Sequence, residues 1–224
     1  MSRISLFEFK VDMSIRDIAN AFLDMRYAQN KKSGFMLGRV AHDHILVKHV
    51  TEVVSERTIT NPFGETESTV VQEFLVNELE VREGLVKVVN PSRSLHQLKH
   101  DLSSSMNYRC SLSPLQIDLK SFAKRVPELM DGAVSVIALN VMSKDVMSES
   151  SVKMSVSSNK CVLKKTYDYF EGHSFEIKKL KIQFKGLGTV ELSDRGTMKL
   201  GESTDEGQLF KFVSEHFIAN LLSR

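Results

Sequence analysis

The sequence predicts an α+β fold of two tandem, related units, each an antiparallel sheet with flanking helices. Three observations lead there. Phe9-Lys10-Val11-Asp12-Met13 and Leu115-Gln116-Ile117-Asp118-Leu119 both read as short alternating strands that end near an Asp and lead into a helical pattern. Each opening then passes into strand-rich sequence. Each half closes on an amphipathic helical stripe. The first unit is assigned to 1–106 and the second to 107–224, with the boundary near Ser103–Asn107, and the two are expected to pack as one compact body.

Taken in order, Ser14 is a plausible N-cap for a first helix reaching Tyr27, because Ile15, Ile18, Phe22 and Met25 recur at helical spacing. Asn30-Lys31-Lys32-Ser33-Gly34 reads as a solvated loop, and Phe35–Val54 as strand. Asn61-Pro62-Phe63-Gly64 is a turn signal, since Pro fixes one backbone angle and Gly supplies an unusual one. It predicts a long hairpin whose strands end near Thr60 and restart near Glu67, run on to Val81, turn at Gly84 and return over Leu85–Val89. Asn90-Pro91 is read as the cap and first position of a second helix with an edge of Leu95, Leu98 and Leu102.

In the second half, Leu119, Phe122, Val126 and Met130 predict a helix that Pro127 must kink or shorten. Strands follow at Val134–Val141 and Val152–Val156, then a short helix within Lys160–Phe170. Further strands are expected at Phe175–Phe184, Thr189–Leu192 and Thr197–Leu200, the last two joined by a turn at Ser193–Gly196. Thr204 is read as the cap of a final helix with Leu209, Val213, Phe217 and Leu221 on its stripe.

The totals narrow the class. A chain of 224 residues with 42% hydrophobic and 26% charged side chains is ordinary for a globular protein. Its net charge of +2 supplies no overall field advertising nucleic acid. No apolar run approaches the roughly 20 residues that cross a bilayer, so no membrane association is expected. The charged opening Met1–Glu8 lacks an export signal's apolar stretch. Cys110 and Cys161 stand far apart, which fits a reducing compartment, and a cytoplasmic location is expected.

Charge patterning supplies the functional candidates. Lys179 and Lys181, continued by Lys185, alternate with Leu180, Ile182 and Phe184, putting amines on one face of a strand and apolar groups on the other. Lys160, Lys164, Lys165 and Lys178 lie close in sequence. Such a face either contacts phosphates or is a solvated surface that discourages edge pairing. The hairpin of the first half has the opposite sign, with Glu65, Glu67, Glu73, Glu78, Glu80 and Glu83 relieved only by Arg82. The two patches suit each other, either within one chain or head-to-tail between copies.

Ser92, Arg93 and Ser94, read at a helix start, form a candidate anion cradle, although Asn-Pro is foremost a capping device. His96 and His100 stand one helical turn apart, more simply as a solvated face. His42-Asp43-His44 invites a metal reading but lacks a third ligand by spacing, so a polar strand-end cluster is preferred. No phosphate-binding loop, nucleophile elbow or His-Glu-x-x-His pair occurs. No cofactor and no metal site are expected.

The resulting expectation is a non-catalytic binding or adaptor protein in a larger cytosolic assembly. It has a protein partner or self-associates, with nucleic acid as a further target of Lys179, Lys181, Lys185 and Arg93. Two alternatives stand beside it: a direct nucleic-acid binder needing no partner, and a metal-dependent hydrolase or nuclease with a dispersed site. For the latter, His42, Asp43 and His44 are the nearest set.

Overall fold

The computed structural model describes residues 2–126, 133–147, 150–201, 205–213 and 218. It is mixed α+β and dominated by antiparallel sheet. Two compact units emerge, one of residues 7–113 and one of residues 1–6 with 114–224. The first strand, β1 (Arg3–Val11), gives its opening residues to the later unit and its remainder to the earlier one.

In the 7–113 unit, β1 leads into helix α1 (Ile15–Asp24), where the Ser14 hydroxyl accepts the Asp17 N–H as an N-cap. The helix stops three residues before Tyr27, at the Met25 C-cap. Ile18 and Phe22 are buried, with Ile15 and Met25 packed at the edge. Strands β2 (Ser33–Val40), β3 (His44–Thr60), β4 (Thr66–Arg82) and β5 (Leu85–Val89) form an antiparallel meander, with β1 beyond β5. Gly34, expected in a loop, belongs to β2. A Cβ there would lie 2.8 Å from the Met25 carbonyl oxygen and the Tyr27 backbone, so only glycine admits the close approach that pairs Phe35 with the chain leaving α1.

The helix expected from Asn90 begins later, as α2 (His96–Ser105). Asn90 adopts a left-handed conformation (φ 47°), so the Asn-Pro pair turns the chain instead of capping a helix. Leu98 and Leu102 still face the core, joined by Phe7, Phe9, Phe35, Val81 and Val88.

The 114–224 unit opens differently from its expected counterpart. The strand nearest this point is β6 (Cys110–Pro114), which pairs with β1 and lies in the 7–113 unit up to Ser113, and Leu115–Ile117 is not strand. Asp118 does precede a helix, accepting the Lys120 and Ser121 N–H groups as the cap of α3 (Leu119–Arg125). Pro127 and Met130 lie outside the described residues.

Strands β7 (Val134–Met147), β8 (Ser150–Ser157), β9 (Glu176–Phe184), β10 (Gly188–Ser193) and β11 (Thr197–Leu200) take the order β8-β7-β9-β10-β11, with the start of β1 beside β11. Helix α4 (Leu163–Tyr169) lies between β8 and β9 in sequence, and α5 (Glu206–Phe212) closes the described chain. The cap of α5 is Asp205, whose carboxylate accepts the Gln208 N–H; Thr204, Phe217 and Leu221 lie outside the described residues. One face of this sheet is apolar and carries helices: Leu180, Ile182 and Phe184 are buried, and Phe212 of α5 meets Phe184 with ring centroids 5.6 Å apart. The other face is open and polar.

Candidate anion-binding face

Period two sets the open face. With Leu180, Ile182 and Phe184 turned inward, Lys179, Lys181 and Gln183 must turn outward. A bulge adds to the set: Asn140 of β7 pairs with Lys179 and Val141 with Ile177, leaving Lys178 as the extra residue on β9. Lys178 and Lys179 therefore both border a shallow trough of about 680 Å³.

Register assembles the rest of the trough from residues far apart in sequence. Lys179 lies opposite Ser193, and Asn140 lies opposite Ser155. Glu191 stands between Lys181 and Lys199, and Arg3 pairs with Lys199. Six cationic side chains border the trough (Arg3, Lys153, Lys178, Lys179, Arg195 and Lys199) against the carboxylates Glu191 and Asp194. Asn140, Ser155, Ser193 and Thr197 add hydrogen-bonding groups, and Met142 and Met154 give it an apolar margin.

The carboxylates hold part of this charge in place. Lys179 Nζ lies 3.3 Å from Glu191 Oε1, and Lys178 Nζ lies 2.6 Å from Glu176 Oε2 and 3.1 Å from Asp194 Oδ2. Hydrogen bonds that Lys178 donates to Glu176 and then to Asp194 raise its pKa above the usual amine value, while the same bond holds Glu176 below the usual carboxylate value. Exposed pairs of this kind are screened by water and add little to stability, so an incoming phosphate exchanges with them at little cost.

The sequence-derived candidates fare differently. Lys179 lines the trough, and Lys181 flanks it from the same face. Lys185 is exposed but follows β9 at its other end, about 20 Å along the strand from Lys179. Lys164 and Lys165 ride on α4 instead of on the sheet face. Ser92, Arg93 and Ser94 belong to the 7–113 unit, in the loop before α2. There the Ser92 N–H donates to Asn77 Oδ1 (2.8 Å) and its hydroxyl to the Ser94 carbonyl (2.8 Å). The three residues stand just before the Leu95 N-cap of α2 instead of in its first turn, and the Ser94 hydroxyl accepts the His96 N–H at 3.4 Å.

Asp43 is taken by His44 Nδ1 (2.8 Å) and Arg82 (3.2 Å), and the hydrogen bond from His44 leads in holding its carboxyl below the ordinary value. Among the described residues, no group of three or more His, Cys, Asp or Glu side chains is placed to hold a metal.

Sequence reasoning missed Arg3, Lys153, Arg195 and Lys199. Each is an unremarkable single charge in its own segment, and only strand order brings them together. Among the described residues no helix is long and apolar enough to cross a membrane. No family model matches this chain and no curated protein matches it, so its functional reading stands on this geometry.

Proposed function

We propose that the protein is a non-catalytic binding or adaptor component of a larger assembly, and that it contacts the phosphate backbone of nucleic acid through the trough. The observation that carries this reading is the gathering of six cations with serine, threonine and asparagine groups on one open sheet face. Phosphate oxygens are satisfied by this donor chemistry, and each phosphate neutralised releases counterions. Among the described residues no aromatic side chain lines the trough, so base stacking is not part of the proposed contact. Recognition is accordingly of the backbone and indifferent to base sequence. A cytoplasmic site of action belongs to this reading. So does a common origin of the two units. It is supported by their shared progression from helix through antiparallel sheet to helix, although α4 interrupts the second sheet and the strand orders differ.

Fluorescence anisotropy with labelled DNA and RNA duplexes and single strands tests the reading. Binding is expected to fall linearly in log–log form with added salt, and Lys179→Glu with Lys181→Glu to abolish it. Binding that ignores salt, or survives both substitutions unchanged, overturns it.

A further inference from the structure

The β3–β4 hairpin is longer than its own unit uses. Strand β2 accompanies β3 only as far as Thr51, and β5 accompanies β4 only from Glu78. Residues 52–60 and 66–74 are thus a two-stranded ribbon held by nine consecutive register pairs from Glu52–Phe74 to Thr60–Thr66; beyond the Glu52 N–H, which donates to the Lys32 carbonyl (2.7 Å), its edges are unpaired among the described residues. Two-stranded ribbons are marginal in water on their own, so one of this length calls for something to cover it.

One face of the ribbon carries Glu52, Val54 and Glu56 on β3, opposite Phe74, Gln72 and Val70 on β4. Val54, Val70 and Phe74 are 59%, 69% and 54% exposed. This face carries Glu52 and Glu56 and no cation, while Glu67 and Glu73 turn to the opposite face, where Arg57 lies 2.8 Å from Glu73. An apolar centre with an acidic surround selects its occupant. A second identical ribbon would bring like charges together, whereas a basic surface with an apolar margin fits. The trough on the 114–224 unit is such a surface, with cations bordering Met142 and Met154.

We infer that the ribbon of one copy docks by its Glu52–Val54–Glu56 face onto the basic trough of a second copy. The contact is head-to-tail, so it closes into a ring or grows as a chain. The ribbon face measures about 30 Å by about 10 Å, from nine residues at ~3.3 Å on two strands. That is less than the ~800 Å² per partner of a standard interface, which makes the association weak, concentration-dependent and salt-sensitive. The inference rests on the proposed function only in using the same trough, for which ribbon and nucleic acid compete.

Sedimentation of the 224-residue chain over a range of concentration and salt tests it. Wild type is expected to self-associate at low salt and to dissociate when salt or a nucleic-acid duplex is added. E52K/E56K and K179E/K199E are each expected to remain monomeric. Their equimolar mixture is expected to form a dimer, because the native ribbon of K179E/K199E still meets the native trough of E52K/E56K, whereas the altered trough, with four cations against four carboxylates, is neutral and offers the reversed ribbon no counter-charge. F74S, which keeps the charges, is expected to weaken assembly of the wild type at least tenfold.

A monomeric wild type at every concentration, a charge variant that assembles like wild type, or a folded mixture that stays monomeric overturns the inference. Nucleic-acid binding by E52K/E56K separates the two readings. Retained binding with no wild-type self-association defeats only the docking. Self-association of wild type without nucleic-acid binding defeats only the proposed function.

Discussion

At the scale of single residues, His49 and Asp101 show what the interior of the 7–113 unit will tolerate. His49 is fully buried, lies 5.1 Å from the Phe35 ring, and places Nε2 2.7 Å from Asp101 Oδ2. Gln97 donates to the other carboxylate oxygen at 2.8 Å. His49 Nδ1 has no hydrogen-bond partner. A neutral imidazole donating through Nε2 leaves Nδ1 as a bare acceptor, whereas protonation would strand an N–H donor there. Burial accordingly holds the His49 pKa below its ordinary value, outweighing the hydrogen bond and charge of Asp101, which act in the opposite direction. The sign follows from proton counting. The unfolded chain takes up a proton near pH 6.5 that the folded chain refuses until lower pH, so acid favours unfolding. Stability is expected to be complete above about pH 6.5 and to decline as pH falls from there towards the folded pKa. Urea midpoints measured across this range check it, and His49→Leu should flatten that part of the profile. Asp101→Ala leaves the buried Nε2–H unsatisfied and is expected to cost about 2 kcal/mol in the same assay.

At the scale of elements, the long hairpin was legible because its information is local. Asn61 Oδ1 accepts the Phe63 and Glu65 N–H groups, both at 3.0 Å, and Gly64 takes φ 86°, so the turn is specified by the four residues that announced it. The same local logic failed at Asn90-Pro91. Cap and turn use the same residue types, and the choice was made by Asn77, which reaches across from β4 to bind the Ser92 N–H. At Leu115–Ile117 alternation was misleading for a related reason. Among the described residues no strand continues the ladder there: the Leu115 N–H donates to the Leu6 carbonyl and the Ile117 N–H to the Asp194 carbonyl, on two different segments.

The ribbon carries its own prediction at this scale. With no third strand, amides of residues 53–59 and 67–73 are protected only by each other and open without disturbing the core. Hydrogen exchange is expected to be fast there and slow at Val47, Leu79 and Val81, which lie in the same two strands but inside the meander. Equal protection along the full length of β3 would show that the ribbon is covered in the free chain.

At the scale of the whole molecule, the trough was only partly legible. Alternation along β9 exposed Lys179 and Lys181 as an outward pair, since that pattern is written within one strand. Lys153, Lys199 and Arg3 come from three other strands, and their meeting depends on an order, β8-β7-β9-β10-β11-β1, that no local pattern encodes. The net charge of +2 hid the feature as well, because the acidic hairpin offsets the basic face in the total. A distributed site of this kind has a distinctive quantitative signature. If every cation acts as an independent phosphate neutraliser, removing one reduces the salt slope by about 0.9 without changing preference among base sequences. Lys199→Gln suits the measurement, since Lys199 stands in register between Arg3 and Glu191 and contributes through its charge. Anisotropy titrations over a salt series are expected to give a shallower line for Lys199→Gln than for wild type, parallel for AT-rich and GC-rich duplexes. A loss confined to one base composition would mean that the face reads bases, and phosphate contact alone would no longer account for it.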